Sequence, residues 1–303
     1  MQDILIVGAG TAGLTAAIYA ARAGKTVTVL ENEAVGGQIA TSPQVENYPG
    51  FESISGAEFS DRLFTQATAL GVSVELEKAQ AVRVQDGVFT VETGSESYSA
   101  RALILATGVK HRRLGLAEEA SYLGRGLSYC AVCDGAFFKN RTVAVVGGGN
   151  AALQSAIYLA DVAEKVYLIH RRTQYRAEEA VIRAMEAKPN IEPVLNKTVA
   201  SLSGEPLLQS LTLCDTQTGD KSELPVNGVF VSIGKVPAND FCRDLVMLDD
   251  AGFIVADESC KTNVPGLFAA GDCRTKSVRQ LTTAASDGSI AALAACDYLN
   301  ANA

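Results

Sequence analysis

The run "DILIVGAGTAGLTAAIYAARAGKTVTVLEN" (residues 3–32) decides the fold. A strand-like apolar segment meets a glycine-rich turn, then an alanine-rich stretch with helical period, then a second apolar segment. That order is a βαβ unit, the opening of a doubly wound parallel sheet. Its three glycines have separate mechanical reasons. Gly8 permits the tight turn, Gly10 lets the backbone approach a pyrophosphate, and Gly13 lets the helix sit close on the strand. The helix N-terminus then offers free N–H groups and the positive end of its dipole to the anion.

The unit recurs as "TVAVVGGGNAALQSAIYLADVAEKVYLIHR" (142–171), with Gly147, Gly149 and Ala152 in the three places. One glycine pattern is weak evidence, because glycine-rich turns are common. Two copies, each flanked by strand and helix, point to two dinucleotide sites. The copies differ where the second strand ends, at Glu31 in one and His170 in the other. A carboxylate there accepts from the ribose 2′-OH and repels a 2′-phosphate, so the first site takes FAD or NAD. His170 is followed by Arg171, Arg172 and Arg176, three guanidiniums suited to a 2′-phosphate, so the second site takes NADPH.

Around these units, "RALILATG" (101–108) and "GLFAAGDC" (266–273) read as strands ending in turns, and Gln280 to Leu299 as a helix. Alternating segments within 73–100 and 205–235 read as antiparallel insertions. The expected architecture is α/β, with two doubly wound Rossmann-like dinucleotide-binding domains, the second inserted in the first. Residues 1–112 and 242–303 form the FAD-binding domain and 113–241 the NADPH-binding domain. The chain is expected to cross near Arg112–Gly115 and near Pro237–Arg243.

Composition narrows the function. The 303-residue chain carries a formal charge of −8 and no basic block, which disfavours nucleic acid as a partner. Ile4 to Ala21 is uncharged and long enough to span a bilayer, but its glycine pattern belongs to a soluble fold. Asp3 and the immediate strand-like run are not the layout of a secretory leader, so a cytoplasmic, membrane-free protein is expected. Seven cysteines, an odd number, do not form a secreted disulfide framework.

Two of them stand apart, in "SYCAVCDGAF" (128–137). Zinc needs about four ligands, and only His111 and His170 could join Cys130 and Cys133, so no metal is expected. A redox-active disulfide is favoured over a pair of inert buried thiols. The two-residue spacing closes a ring easily and steadies one thiolate with its neighbour. Asp134 follows directly and can give and take the thiol proton. A disulfide does not readily take hydride from a nicotinamide, whereas a flavin does, so FAD, NADPH and the cysteine pair form one electron path.

Over essentially its whole length the chain resembles the low-molecular-weight, bacterial-type thioredoxin reductases. The resemblance rests on "GAGTAG" (8–13), "GGQI" (36–39), "VENYPG" (45–50), "LATG" (105–108), "GRGLSYCAVCDGAF" (124–137), "GGGNAA" (147–152), "HRRTQYRAE" (170–178) and "AAGDCRTKSVRQ" (269–280). It implies that Gly8, Gly10, Gly13, Glu31, Gly37, Gln38, Asn47, Gly108, Gly271, Asp272, Arg279 and Gln280 hold FAD. It implies that Gly147, Gly149, Asn150, Arg171, Arg172 and Arg176 hold NADPH. Cys133 would be the flavin-proximal sulfur, Cys130 the attacker of a thioredoxin disulfide, and Asp134 the acid/base. The family is homodimeric and turns one domain against the other. The chain departs from the family pattern at Thr11, at Gln154 and Ser155, at "SIGKVPAND" (232–240) and at Ser286. Relatives of this fold that take electrons from ferredoxin, or pass them from a dithiol to oxygen, are the alternative readings. Cys273 reads as a small buried residue, with a place beside the flavin as the alternative.

The arginine set carries a direct test. Replacing Arg171 and Arg172 with Ala should raise the KM for NADPH far more than that for NADH. Equal effects on both would remove the 2′-phosphate assignment.

Overall fold

The computed structural model describes residues 1–302 apart from Pro43. The chain opens with β1 (Gln2–Val7), α1 (Thr11–Arg22) and β2 (Val27–Leu30), then α2 (Gly56–Ala69) and β3 (Ser73–Glu75). Strands β4 (Ala81–Gln85), β5 (Val88–Glu92) and β6 (Ser97–Leu105) follow. These form a sheet in the order β3-β2-β1-β6-β5-β4, parallel from β3 through β6 and antiparallel across β5 and β4. Residues 73–75 therefore belong to the parallel part of the sheet, and the antiparallel part begins at Ala81.

The sequence of β1 explains its central place. It is apolar from Ile4 to Val7, and its side chains alternate between two cores. Ile4 and Ile6 join the layer containing α1, whereas Leu5 and Val7 join the opposite one. Ile4, Leu5 and Ile6 are wholly buried, each contributing about 1.5–3 kcal/mol of burial.

The chain leaves through β7 (Val109–His111) into a second compact unit, residues 111–235. That unit holds α3 (Glu119–Tyr122), β8 (Leu127–Ser128), α4 (Ala131–Asp134), β9 (Thr142–Val146), α5 (Asn150–Ala160), β10 (Lys165–His170), α6 (Glu179–Glu186) and β11 (Ile191–Leu195). An antiparallel sheet follows, β12 (Lys197–Ser203), β13 (Ser210–Asp215) and β14 (Lys221–Pro225), before β15 (Gly228–Val231) returns to the parallel sheet. The parallel order is β11-β10-β9-β15-β8. The antiparallel piece thus starts at Lys197, ahead of the expected 205.

Strand β16 (Lys235–Pro237) pairs with β7. The chain then completes the first unit with β17 (Leu267–Ala269) and α7 (Leu281–Ala301). β6 serves two partners along one edge, β5 at Ser97–Ala100 and β17 at Leu103–Leu105. The first unit resumes at Val236, and Asn239 shows why. This asparagine is buried, accepts from Thr107 Oγ1 at 2.8 Å, and donates to the carbonyls of Gly252 at 3.0 Å and Cys273 at 3.1 Å. All three partners lie in the first unit, so the segment after Pro237 is fastened to it.

Helix α7 crosses α1 at very close range. A β-carbon on Gly288 would lie 2.2 Å from the Ala12 carbonyl oxygen and 3.0 Å from Thr15 Cβ. Alanines 16, 17, 291, 292 and 295 are wholly buried in the same core. Gly288→Val should therefore cost about 1–3 kcal/mol by overpacking. Leu293→Ala, at a half-exposed site of the same helix, should change stability by less than about 0.5 kcal/mol. Urea midpoints of the two variants check this.

Candidate active site

In each unit the glycine turn is built at the carboxyl ends of the parallel strands, the crevice where open α/β sheets bind ligands. In the first unit Gly8 N–H donates to Leu30 O, Ala106 N–H to Val7 O, and Ala270 N–H to Leu105 O. The residues after β1, β2, β6 and β17 are thereby held in one row. Gly8 has φ +110°, and a β-carbon there would strike the Ala106 carbonyl oxygen at 2.3 Å. A β-carbon on Gly13 would lie 1.8 Å from Gly8 O. Gly10 is different. Its β-carbon would meet nothing nearer than Gly36 O at 3.9 Å, so its face is open where a pyrophosphate would approach the start of α1. This open face over a helix N-terminus fits a dinucleotide.

Of the remaining first-unit candidates, Glu31, Gly108 and Gly271 follow β2, β6 and β17 on this row. Glu31 is buried and takes the Ala9 N–H on Oε2 at 2.8 Å and the Glu33 N–H on Oε1 at 2.9 Å, so it braces the turn from the end of β2. Gly36 N–H donates to Ala9 O at 2.8 Å, which brings Gly37 and Gln38 beside the turn. Gln38 Nε2 donates to Val109 O at 2.5 Å. Asn47 Nδ2 donates to Gln280 Oε1 at 3.3 Å, and Gln280 caps α7. Gly108, at φ +64°, follows β6. Gly271 and the half-buried Asp272 form a short turn after β17. The Arg279 guanidinium donates to the carbonyls of Asp272, Arg274 and Lys276 and stacks on Phe253 at 4.3 Å, so its charge organises the loop.

A buried cluster invisible to motif reading holds that loop from below. Asp287 Oδ2 accepts from Gly271 N at 2.9 Å, Arg274 Nε at 2.8 Å and Lys276 Nζ at 2.9 Å, and Oδ1 accepts from Arg274 NH2 at 2.9 Å. Burial pushes its carboxyl up, but Arg274 and Lys276 outweigh this and hold it below the usual carboxylate range. Cys273, next to Arg274 in sequence, is wholly buried with Sγ against Leu105 O and Ala270 O. Burial raises its thiol, which keeps it protonated and inert.

In the second unit Gly147 N–H donates to Ile169 O and Ser232 N–H to Val146 O. A β-carbon on Gly147 would lie 2.3 Å from Ser232 O, whereas one on Gly149 would meet nothing within 4 Å. The open glycine again sits at a helix start, here α5. Asn150 exchanges bonds with Glu178, at 2.8 Å to Oε1 and 2.7 Å from N–H, and Arg176 N–H donates to Gly148 O at 2.7 Å. The guanidiniums of Arg171, Arg172 and Arg176 are exposed around the end of β10. His170 is not among the exposed groups. Its ring is buried against Gly148, where a β-carbon would fall 2.1 Å from Cε1, and Nε2 meets Gln174 O at 3.0 Å. Burial, then the three arginines, lower its pKa, so the ring stays neutral and supports the glycine turn.

The cysteine pair lies just past β8, the edge strand of this sheet. Cys130 and Cys133 are joined by a disulfide. Cys133 N–H points at Cys130 Sγ at 3.2 Å, a donor that favours a thiolate at Cys130 once the bond opens. Asp134 Oδ2 accepts from Ser128 Oγ at 2.6 Å, while Oδ1 is buried with no hydrogen-bond partner among the described residues. Burial drives the Asp134 carboxyl above its ordinary range, against the Ser128 bond. A second buried acid, Glu119, accepts from Tyr129 OH at 2.6 Å and from the N–H groups of Leu114 and Gly115 at 2.9 and 3.0 Å. Tyr129 also stacks on His111, with centroids 5.0 Å apart. Glu119 therefore fastens the residue before Cys130 to the chain entering this unit. Among the described residues, no group of three or more His, Cys, Asp or Glu is placed to hold a metal ion. No helix among them is long and apolar enough to cross a membrane.

Two open-faced dinucleotide turns and a disulfide at a sheet edge define a class of redox protein that moves electrons between nucleotide cofactors and sulfur. The pyridine nucleotide-disulphide oxidoreductase family matches residues 2–288, and the chain belongs to that family. It is 43% identical over 299 residues to a thioredoxin reductase of Treponema pallidum, covering 98% of this chain and 97% of the relative. A thioredoxin reductase of Listeria monocytogenes is 44% identical over 302 residues, covering 99% and 94% of the two chains. The crystal structure of thioredoxin reductase from Streptococcus pyogenes superposes with a TM-score of 0.95 at 38% identity, covering 99% of each chain.

The ion cluster under the loop yields a prediction. Asp287→Asn removes the buried counter-charge of Arg274 and Lys276, leaving Arg274 only the exposed Glu258 at 3.4 Å, and should cost about 3–5 kcal/mol in a denaturation experiment. In the unaltered protein the stability supplied by this depressed carboxyl is complete above the usual carboxylate range and is lost as pH falls from that range through the carboxyl's own lowered pKa.

Proposed function

We propose that this chain is an NADPH-dependent thioredoxin reductase, an FAD flavoprotein in which the Cys130–Cys133 disulfide is the centre that meets the protein substrate. The observation that carries the reading is that disulfide at the end of β8, with Asp134 beside it, in the unit whose dinucleotide turn is flanked by three arginines. FAD belongs to the first unit, held by Gly8, Gly10, Gly13, Glu31, Gly37, Gln38, Asn47, Gly108, Gly271, Asp272, Arg279 and Gln280. NADPH belongs to the second, held by Gly147, Gly149, Asn150, Arg171, Arg172 and Arg176. When bound, the two cofactors supply the hydride of NADPH and, through the flavin, two electrons for the disulfide.

The chain's own groups do the rest. The Cys130–Cys133 bond opens as it takes two electrons and two protons, and Asp134 carries one of those protons. Cys130, steadied by the Cys133 N–H, attacks the thioredoxin disulfide, Asp134 accepts the proton it leaves, and Cys133 then closes the internal disulfide while thioredoxin departs as a dithiol. The chain works in the cytoplasm as a homodimer, without membrane or nucleic acid.

Thioredoxin turnover with NADPH in the FAD-loaded protein tests this reading. Cys130→Ser should abolish thioredoxin reduction while NADPH still bleaches the flavin. Asp134→Asn should slow it about 10²–10⁴-fold, the usual share of a general acid/base. A flavin bleached by reduced ferredoxin but not by NADPH would reject the donor, and stoichiometric peroxide from a dithiol alone would reject the direction of flow.

A further inference from the structure

Ser128 stands two residues before Cys130 and touches both ends of the cysteine turn. It is 4% exposed and ends β8, whose backbone is paired to Phe230 of β15. Its position is therefore fixed by the sheet. Its hydroxyl accepts from Cys130 N–H at 3.0 Å and lies 2.6 Å from Asp134 Oδ2. The Cys130 carbonyl is farther, at 3.3 Å. A serine hydroxyl has one hydrogen to give, and the shorter contact to a carboxylate claims it.

We propose that Ser128 is the positioning residue for proton transfer at the cysteine pair: by holding Asp134 Oδ2 it assigns the moving proton to Oδ1. Oδ1 is the buried oxygen without a partner among the described residues, and an unpartnered buried carboxylate oxygen is a ready seat for a proton. The proposal rests on the reductase reading, because it concerns the proton that accompanies opening of the Cys130–Cys133 bond. In that step the S–S bond takes two electrons from the NADPH–flavin path and two protons, one from Asp134 Oδ1 and one from solvent. In the return step Cys130 gives its proton to Oδ1 as its sulfur attacks, the substrate S–S bond breaks, and Oδ1 passes the proton to the departing substrate sulfur. Cys133 then displaces the second substrate sulfur from Cys130, re-forming the Cys130–Cys133 bond. Its proton goes to that sulfur, with Asp134 reprotonated from solvent.

The surroundings leave Ser128 little competition. Helix α5, packed against α4, carries no charged side chain from Asn150 to Ala160. Its titratable group is Tyr158, whose ring lies against Gly135, the residue after Asp134. The short turn Gly135–Phe138 and strands β8 and β15 carry no titratable group, which leaves the two cysteines themselves. Burial raises the Asp134 carboxyl and the Ser128 bond lowers it, so the hydroxyl tunes as well as orients.

The experiment is the pH profile of kcat/KM for thioredoxin in FAD-loaded Ser128→Ala and Ser128→Thr, each alone and in the Asp134→Asn background. Ser128→Ala should move the limb due to Asp134 to higher pH and lower neutral-pH turnover about tenfold, the scale of a hydrogen bond to a charged group. Ser128→Thr, which keeps the hydroxyl, should restore the profile. In the Asp134→Asn background Ser128→Ala should add almost no further loss. An unmoved limb in Ser128→Ala, or an equal loss with and without Asp134, would overturn the proposal. If the unaltered protein reduces no thioredoxin at all, the reductase reading fails instead.

Discussion

The contact on which the first glycine turn depends is between a carbonyl and a missing side chain. Gly8 O sits 1.8 Å from where a β-carbon of residue 13 would be, so α1 can begin directly over the end of β1 only because Gly13 has none. That closeness places the helix N-terminus, with its unpaired N–H groups, where a pyrophosphate can reach it. The second unit meets the same constraint with the roles exchanged. Ala152 keeps its methyl, and Gly147 gives way, since a β-carbon there would stand 2.6 Å from Ala152 Cβ. The residues proposed to hold each nucleotide lie in the same unit as its turn.

The cysteine pair uses the same geometry for another purpose. It also follows a parallel strand, β8, but at the sheet edge and without a glycine turn. What it has instead is a set of hydrogen bonds aimed at charge. Cys133 N–H faces Cys130 Sγ, Ser128 fixes half of Asp134, and Glu119 holds Tyr129. The first two face groups whose protonation changes in disulfide exchange, and the third fastens the residue before Cys130 to the chain entering this unit. A thiol pair left loose would open without direction; here the sulfur with the donor is the one suited to attack.

Much of this was legible in the sequence, for a physical reason. The glycine turns, the apolar run of β1 and the spacing of the cysteines are local patterns, so chain order carries them. The position of Glu31 and of the arginines after His170 at the end of a second strand could be read because strand length fixes where they fall. Contacts made across the fold left no such trace. Asn239 reaches Thr107 and Cys273, Asp287 reaches Gly271 and Arg274, and Glu119 reaches Tyr129 without any period or motif joining them. His170 stands at the register of Glu31, but its ring packs against Gly148, which leaves room for it, so it supports the turn. Ser128 was overlooked beside two cysteines, though a buried serine two residues before a CxxC pair is a signal that could have been used.

The central claim is that electrons from NADPH end on the sulfur of Cys130 and Cys133. Anaerobic titration of the FAD-loaded protein with NADPH, with thiols counted at each point, tests it most directly. The account predicts that NADPH bleaches the flavin, that two new thiols appear at Cys130 and Cys133, and that added thioredoxin consumes them. Flavin that bleaches with no new thiols at these positions would contradict it.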